Sequence, residues 1–297
     1  MNEEHAPTPV MYPADATYDD ASIRALRLAL LAAGLAVPLA LLARYSTPDP
    51  TGIPLISTDG RWFYLLALVA TAGVGVAGHV TDFDAGYARA SAVRLGYTWI
   101  ADQGRLTSGF LPALTMAAAM LIVGTYHSWP MVVVTPLLAG SGVYAGALAR
   151  HFAFAPDPPT RRSGRMAFAA LTLVVGFVVL ALVYHFRMRS IVSGPAVWVA
   201  TGSLVMVATD GVDLRLRQRI AFAVVCGGIL AEATWALNYW NLPGWYGGIM
   251  LAALAGAAAA AIVAHAEERL NRSAVLRYSA LVSLITIVVA FVADQPG

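Results

Sequence analysis

Nine apolar runs, each close to twenty residues long, leave this chain few folds to choose from. A helix needs about 20 mainly apolar residues to cross the roughly 30 Å hydrocarbon layer of a bilayer. Once in lipid, its backbone groups must be satisfied within the segment. The runs fall at 24–44, 61–80, 108–127, 130–149, 166–186, 191–209, 219–240, 245–265 and 274–293. They predict an all-α fold, a polytopic transmembrane bundle of about nine spanning helices with short loops. Residues 1–23 read as a flexible acidic tail, 24–293 as a single transmembrane domain and 294–297 as a short C-terminal tail. The opening segment carries Glu3, Glu4, Asp15, Asp19 and Asp20 and lacks the basic start of a secretory leader. Of the links, only 45–60, 81–107 and 150–165 have any length, and none can house an independent catalytic domain.

The charge balance agrees with this. Charged residues make up 12% of the chain and hydrophobic ones 59%, against roughly 25% charged in a soluble domain, whose surface must be solvated. All 19 basic residues are Arg, which with the abundant Ala points to a GC-rich bacterial genome. Four of them, Arg44, Arg61, Arg187 and Arg189, flank one set of helix ends, and the other fifteen flank the opposite set. The positive-inside rule then predicts a cytoplasmic N-terminus and an extracytoplasmic C-terminus in a bacterial inner membrane. Trp62, Trp129, Trp198, Trp240 and Trp245 are expected at or near the outer helix ends, where amphipathic rings settle among headgroups. In the long link, Val93, Tyr97 and Ile100 share one helical face, which suits either an interfacial helix or a plain loop. Expected partners are membrane lipids and other membrane subunits, with no nucleic acid.

Several motifs have a plain structural reading. Gly73, Gly75 and Gly78 match G-x-G-x-x-G, but the match lies inside an apolar helix. It lacks the strand, turn and helix start that dinucleotide binding requires, so close helix packing through small residues is expected instead. Gly142 and Gly146 form a similar pair. Pro38, Pro112 and Pro136 should bend their helices unless they fall in a first turn. Cys226 is the one cysteine, which excludes an intrachain disulfide or a CxxC site. His79, His127, His151, His185 and His265 lie at helix ends without ligand spacing, so no metal and no cofactor are expected.

Glu232 stands apart as an acidic residue well inside an apolar run. A charged side chain near a helix centre costs about 2.5–3.5 kcal/mol on insertion scales, so Glu232 is expected to face the bundle interior. Trp235 and Tyr239 should share its face, with Asn238 and Asn241 toward the outer end. This set suits either a ligand or proton site or a carboxyl group that holds two helices together. Asp49, Asp59, Arg61, His127, His185, Arg187 and Arg189 form a second candidate group at the outer face. Short loops and the lack of a reaction motif favour a non-catalytic scaffold or accessory subunit, with no enzyme activity. Two alternatives stay open. One is a small-molecule or proton-coupled carrier centred on Glu232. The other is an enzyme acting on a lipid-linked substrate at the outer face, with Asp49 or Asp59 as base.

Overall fold

The computed structural model describes residues 14–45, 61–83, 107–155, 157–185, 190–212, 214–240, 242 and 244–293. Among them are nine helices: α1 (Ala14–Tyr45), α2 (Arg61–Phe83), α3 (Phe110–Thr125), α4 (Trp129–Ala153), α5 (Pro158–His185), α6 (Ser190–Ala208), α7 (Leu216–Tyr239), α8 (Gly244–Ala266) and α9 (Arg272–Ala293). The described residues contain no strand. Each apolar run has become one helix of an all-helical bundle. Seven helices are long and apolar enough to cross a membrane, whereas α3 and α6 are shorter. The all-helical bundle of nine helices read from the sequence is what the described residues show. At 1.5 Å per residue the 16 residues of α3 rise only about 24 Å. Most of α3 is buried by its neighbours, so protein rather than lipid sets its length.

Small residues decide which helices touch. Along α1 the buried stripe is Ala25, Ala29, Ala32, Ala36, Ala40 and Ala43, and α4 packs against it most extensively. Gly140 of α4 faces Ala33 and the Ala29 carbonyl there, so the two backbones nearly meet. The G-x-G-x-x-G stretch lies in the middle of α2. A β-carbon on Gly75 would sit 3.1 Å from Ala113 of α3, and one on Gly109 would overlap the Gly75 carbonyl oxygen. Gly142 and Gly146 face Thr115 and Leu111 of α3. Close packing is therefore their role. In the other half of the bundle, Gly247 and Gly248 open α8 against Tyr184 and Ala181 of α5. The Tyr184 hydroxyl donates to the Leu237 carbonyl of α7 at 2.9 Å.

Several boundaries moved for local reasons. α1 begins ten residues before its apolar run and takes in Asp15, Asp19 and Asp20. α5 begins at Pro158, which shrinks the link expected at 150–165 to a few residues. Asp157 caps that start by accepting the Thr160 amide at 3.0 Å, and proline fits a first helical position because its missing N–H has no partner there anyway. The same hydrogen bonds from Thr160 hold the Asp157 carboxyl below the usual carboxylate range. Pro112 falls in the first turn of α3, while Pro38 and Pro136 lie inside α1 and α4. Trp198 sits two turns inside α6, not at a helix end. Its indole donates to the Val224 carbonyl at 2.9 Å, and Gly227 of α7 leaves the space it occupies.

Candidate functional site

The sequence singled out Glu232, and the structure gives it an unexpected setting. The buried face of α7 is Arg219, Ala223, Gly227, Leu230, Thr234 and Leu237. Glu232 lies on the opposite, exposed face with Val225, Ile229, Trp235 and Tyr239. The expectation that it faces the bundle interior is thus corrected. The helix turns its continuous small and apolar seam inward, and Glu232 is out of phase with that seam. Trp235 is 54% exposed and Tyr239 92% exposed. Asn238 is half-buried beside them. No described residue offers the Glu232 carboxyl a hydrogen bond or an ion pair.

The outer-face group is not gathered into one site by the described residues. Arg61 opens α2. His127 follows α3, where burial first and the nearby Arg44 charge second lower its pKa, partly offset by a backbone hydrogen bond at Thr125. Arg44 stacks over Trp129 at 5.4 Å. His185 instead faces Trp245 of α8, with ring centroids 6.2 Å apart. Asp49, Asp59, Arg187, Arg189 and Asn241, like the stretch 93–100, lie outside the described residues.

A charged cluster that the sequence reading did not single out occupies the opposite end of the bundle. Asp210, just past α6, has a side chain only 2% exposed. Its Oδ2 accepts the Arg150 Nε at 3.1 Å and its Oδ1 accepts the Thr107 hydroxyl at 2.9 Å. Arg219 stands 3.6 Å from Oδ1. Arg219 also donates to the Met206 carbonyl at 2.6 Å and to Thr209 Oγ1 at 3.1 Å. A guanidinium there meets the negative end of the α6 dipole. One carboxylate and a helix C-terminus thus hold two buried arginines and tie α4, α6, α7 and the segment leading into α3 together. Gly211 turns the chain after Asp210 with φ +76°, a left-handed conformation that glycine adopts without strain. The sequence carried a faint sign of this cluster: Asp210 and Asp213 at a helix end, followed by Arg215, Arg217 and Arg219.

Beside this clamp lies a cavity of about 700 Å³ between α5, α6, α8 and α9. Asp210, Arg165, Arg269 and Arg277 line its charged end, and Leu173, Phe177 and Leu180 line the apolar remainder. A second, smaller cavity of about 80 Å³ lies on the Arg150 side, against α1, α2 and α3. Neither cavity reaches Glu232. No group of three His, Cys, Asp or Glu side chains suited to a metal occurs among the described residues.

A bundle of apolar helices with two buried arginines clamped at one end is a membrane-embedded helical protein. Residues 50–292 match the family described as protein of unknown function (DUF5656), and the chain belongs to that family. No curated protein and no solved structure matches it.

Proposed function

We propose that this protein is a non-catalytic membrane subunit that assembles laterally through the exposed face of α7, with a second copy of itself as partner. The observation that carries this is Glu232, on an outward face and without a partner among the described residues. It lies seven residues, about 10 Å, below Tyr239 at the helix end, at a depth where a carboxyl facing lipid is costly. A neighbouring helix removes that cost by supplying a hydrogen bond.

The face is self-complementary. Ala221, Val225, Gly228, Glu232, Ala236 and Tyr239 recur along it at helical spacing, and a β-carbon on Gly228 would meet no atom of the described residues within 4 Å. Small residues let membrane helices approach closely. In a two-fold pair each copy presents the same patch, so two Glu232 carboxyls meet at one depth. The arginine-rich end faces the cytoplasm in this reading, with the bundle in a bacterial inner membrane. The two cavities described above do not reach that carboxyl, which favours assembly over a carrier centred on Glu232.

The test is the mass of the purified protein in mild detergent. Wild type and Glu232→Gln, which keeps a hydrogen-bonding end, are expected as dimers. Glu232→Leu should weaken the dimer by about tenfold or more, because interhelical polar contacts contribute about 0.6–2 kcal/mol each. A monomeric wild type at all concentrations would remove the proposal.

A further inference from the structure

The cavity beside the clamp has a second use that the α7 interface leaves untouched. Its polar end draws cations from three elements: Arg165 on α5, Arg269 in the turn after α8, and Arg277 on α9. Two acids line the same end, and both are already engaged. Asp210 is held by Arg150 and Arg219, and Glu267 pairs with Arg269. Among the described residues Arg277 donates only to the Ser273 carbonyl, at 3.3 Å. Neither it nor Arg165 has a carboxylate partner among the described residues. Asn271 and Tyr278 add hydrogen-bonding groups at the same mouth. The site therefore carries net positive charge where it opens at the arginine-rich end.

The remainder of the cavity is apolar and long. On α5 its lining runs from Arg165 to Leu180, fifteen residues or about 22 Å of helix rise. That exceeds one leaflet, about half of the roughly 30 Å core. The wall formed by α9 is thinly attached: only 6% of its span is buried, and Leu173 at the slot is 53% exposed. The slot thus opens toward the lipid phase at Leu173, while Gly176 and Leu180 close its far end. A volume of about 700 Å³ falls within the range of small-molecule sites, about 300–1,000 Å³.

We infer that this cavity is a binding site for an anionic glycerophospholipid from the bilayer. Its phosphate sits between Arg165 and Arg277, and one acyl chain lies in the slot between α5 and α8. A free phosphate would meet the same cations but leave the slot unused, so the lipid is the occupant the shape selects. Delipidated protein should be titrated with phosphatidylglycerol, phosphatidylcholine or inorganic phosphate and read by native mass spectrometry. Phosphatidylglycerol is expected to bind at least tenfold more tightly than phosphatidylcholine, and phosphate should not displace it. The double variant Arg165→Gln, Arg277→Gln should lower phosphatidylglycerol affinity by about 30-fold, since each basic side chain near a charged surface contributes about 1 kcal/mol. Gly256→Leu fills the slot, where even a β-carbon comes within 3.1 Å of Leu173, and should block the lipid with the charges intact. The thermal transition of each variant reports its folding. Equal affinity for the two lipids, full displacement by phosphate, or unchanged binding in folded Gly256→Leu would each overturn the inference.

Discussion

Asp210 shows how much of this bundle rests on a single side chain. It is the acid between Arg150 and Arg219, and Arg219 is only 1% exposed. Removing one member of a buried ion pair costs about 3–5 kcal/mol, because the other charge stays buried without compensation. Asp210→Ala strands two guanidinium groups, so it should destabilise more than Arg150→Ala. Arg150 is nearer the surface, and its loss leaves Asp210 held by Thr107 and Arg219. Thermal unfolding in detergent checks the order, and equal transitions for both variants would contradict it. Glu232 and Asp210 also show where sequence reasoning stopped. Depth within an apolar run was legible, and it drew attention to Glu232. Direction was not, because which face of α7 turns inward depends on the seam built by Gly227, Thr234 and their neighbours. Burial at a helix end was less legible still. Asp210 sits where a polar residue looks ordinary, and only the approach of α4 and α7 encloses it.

At the scale of helices, position and kind followed from the apolar runs, since in lipid the backbone must close its hydrogen bonds within each segment. The ends followed less well because they depend on local chemistry. Asp157 and the two prolines after it start α5 within the stretch read as a link. The capping carboxylate has a lowered folded pKa, so its contribution is present above the ordinary carboxylate value and is lost as pH falls through the lower folded one. Pairing of helices was half legible. Gly75, Gly142 and Gly146 announced close contacts, as small residues do, but the partner of each was not written in the spacing. That α3 answers all three is a result of its central place, as is its shortness. Trp198 was misplaced for a related reason: an amphipathic ring suits a headgroup region, but it also suits a gap such as the one Gly227 leaves between α6 and α7.

For the molecule as a whole, the asymmetry of arginine gives an orientation that the bundle alone does not. The arginine-rich end should face the cytoplasm, which also places the mouth of the lipid cavity on that side. On a Cys226→Ala background, Ser163→Cys should react with an impermeant thiol reagent only after permeabilisation, and Asp294→Cys in intact cells. The reverse pattern would invert the molecule. The central claim is that the outward face of α7 is covered by a second copy, and disulfide formation within native membranes tests it most directly. Gly228 lies on that face one turn below Glu232, and a disulfide requires α-carbons within about 4.4–6.8 Å. With Cys226→Ala as background, Gly228→Cys is expected to give a covalent dimer on mild oxidation. Val133→Cys, exposed on α4 away from that face, should stay monomeric. A monomeric Gly228→Cys, or equal crosslinking at both positions, would contradict the account.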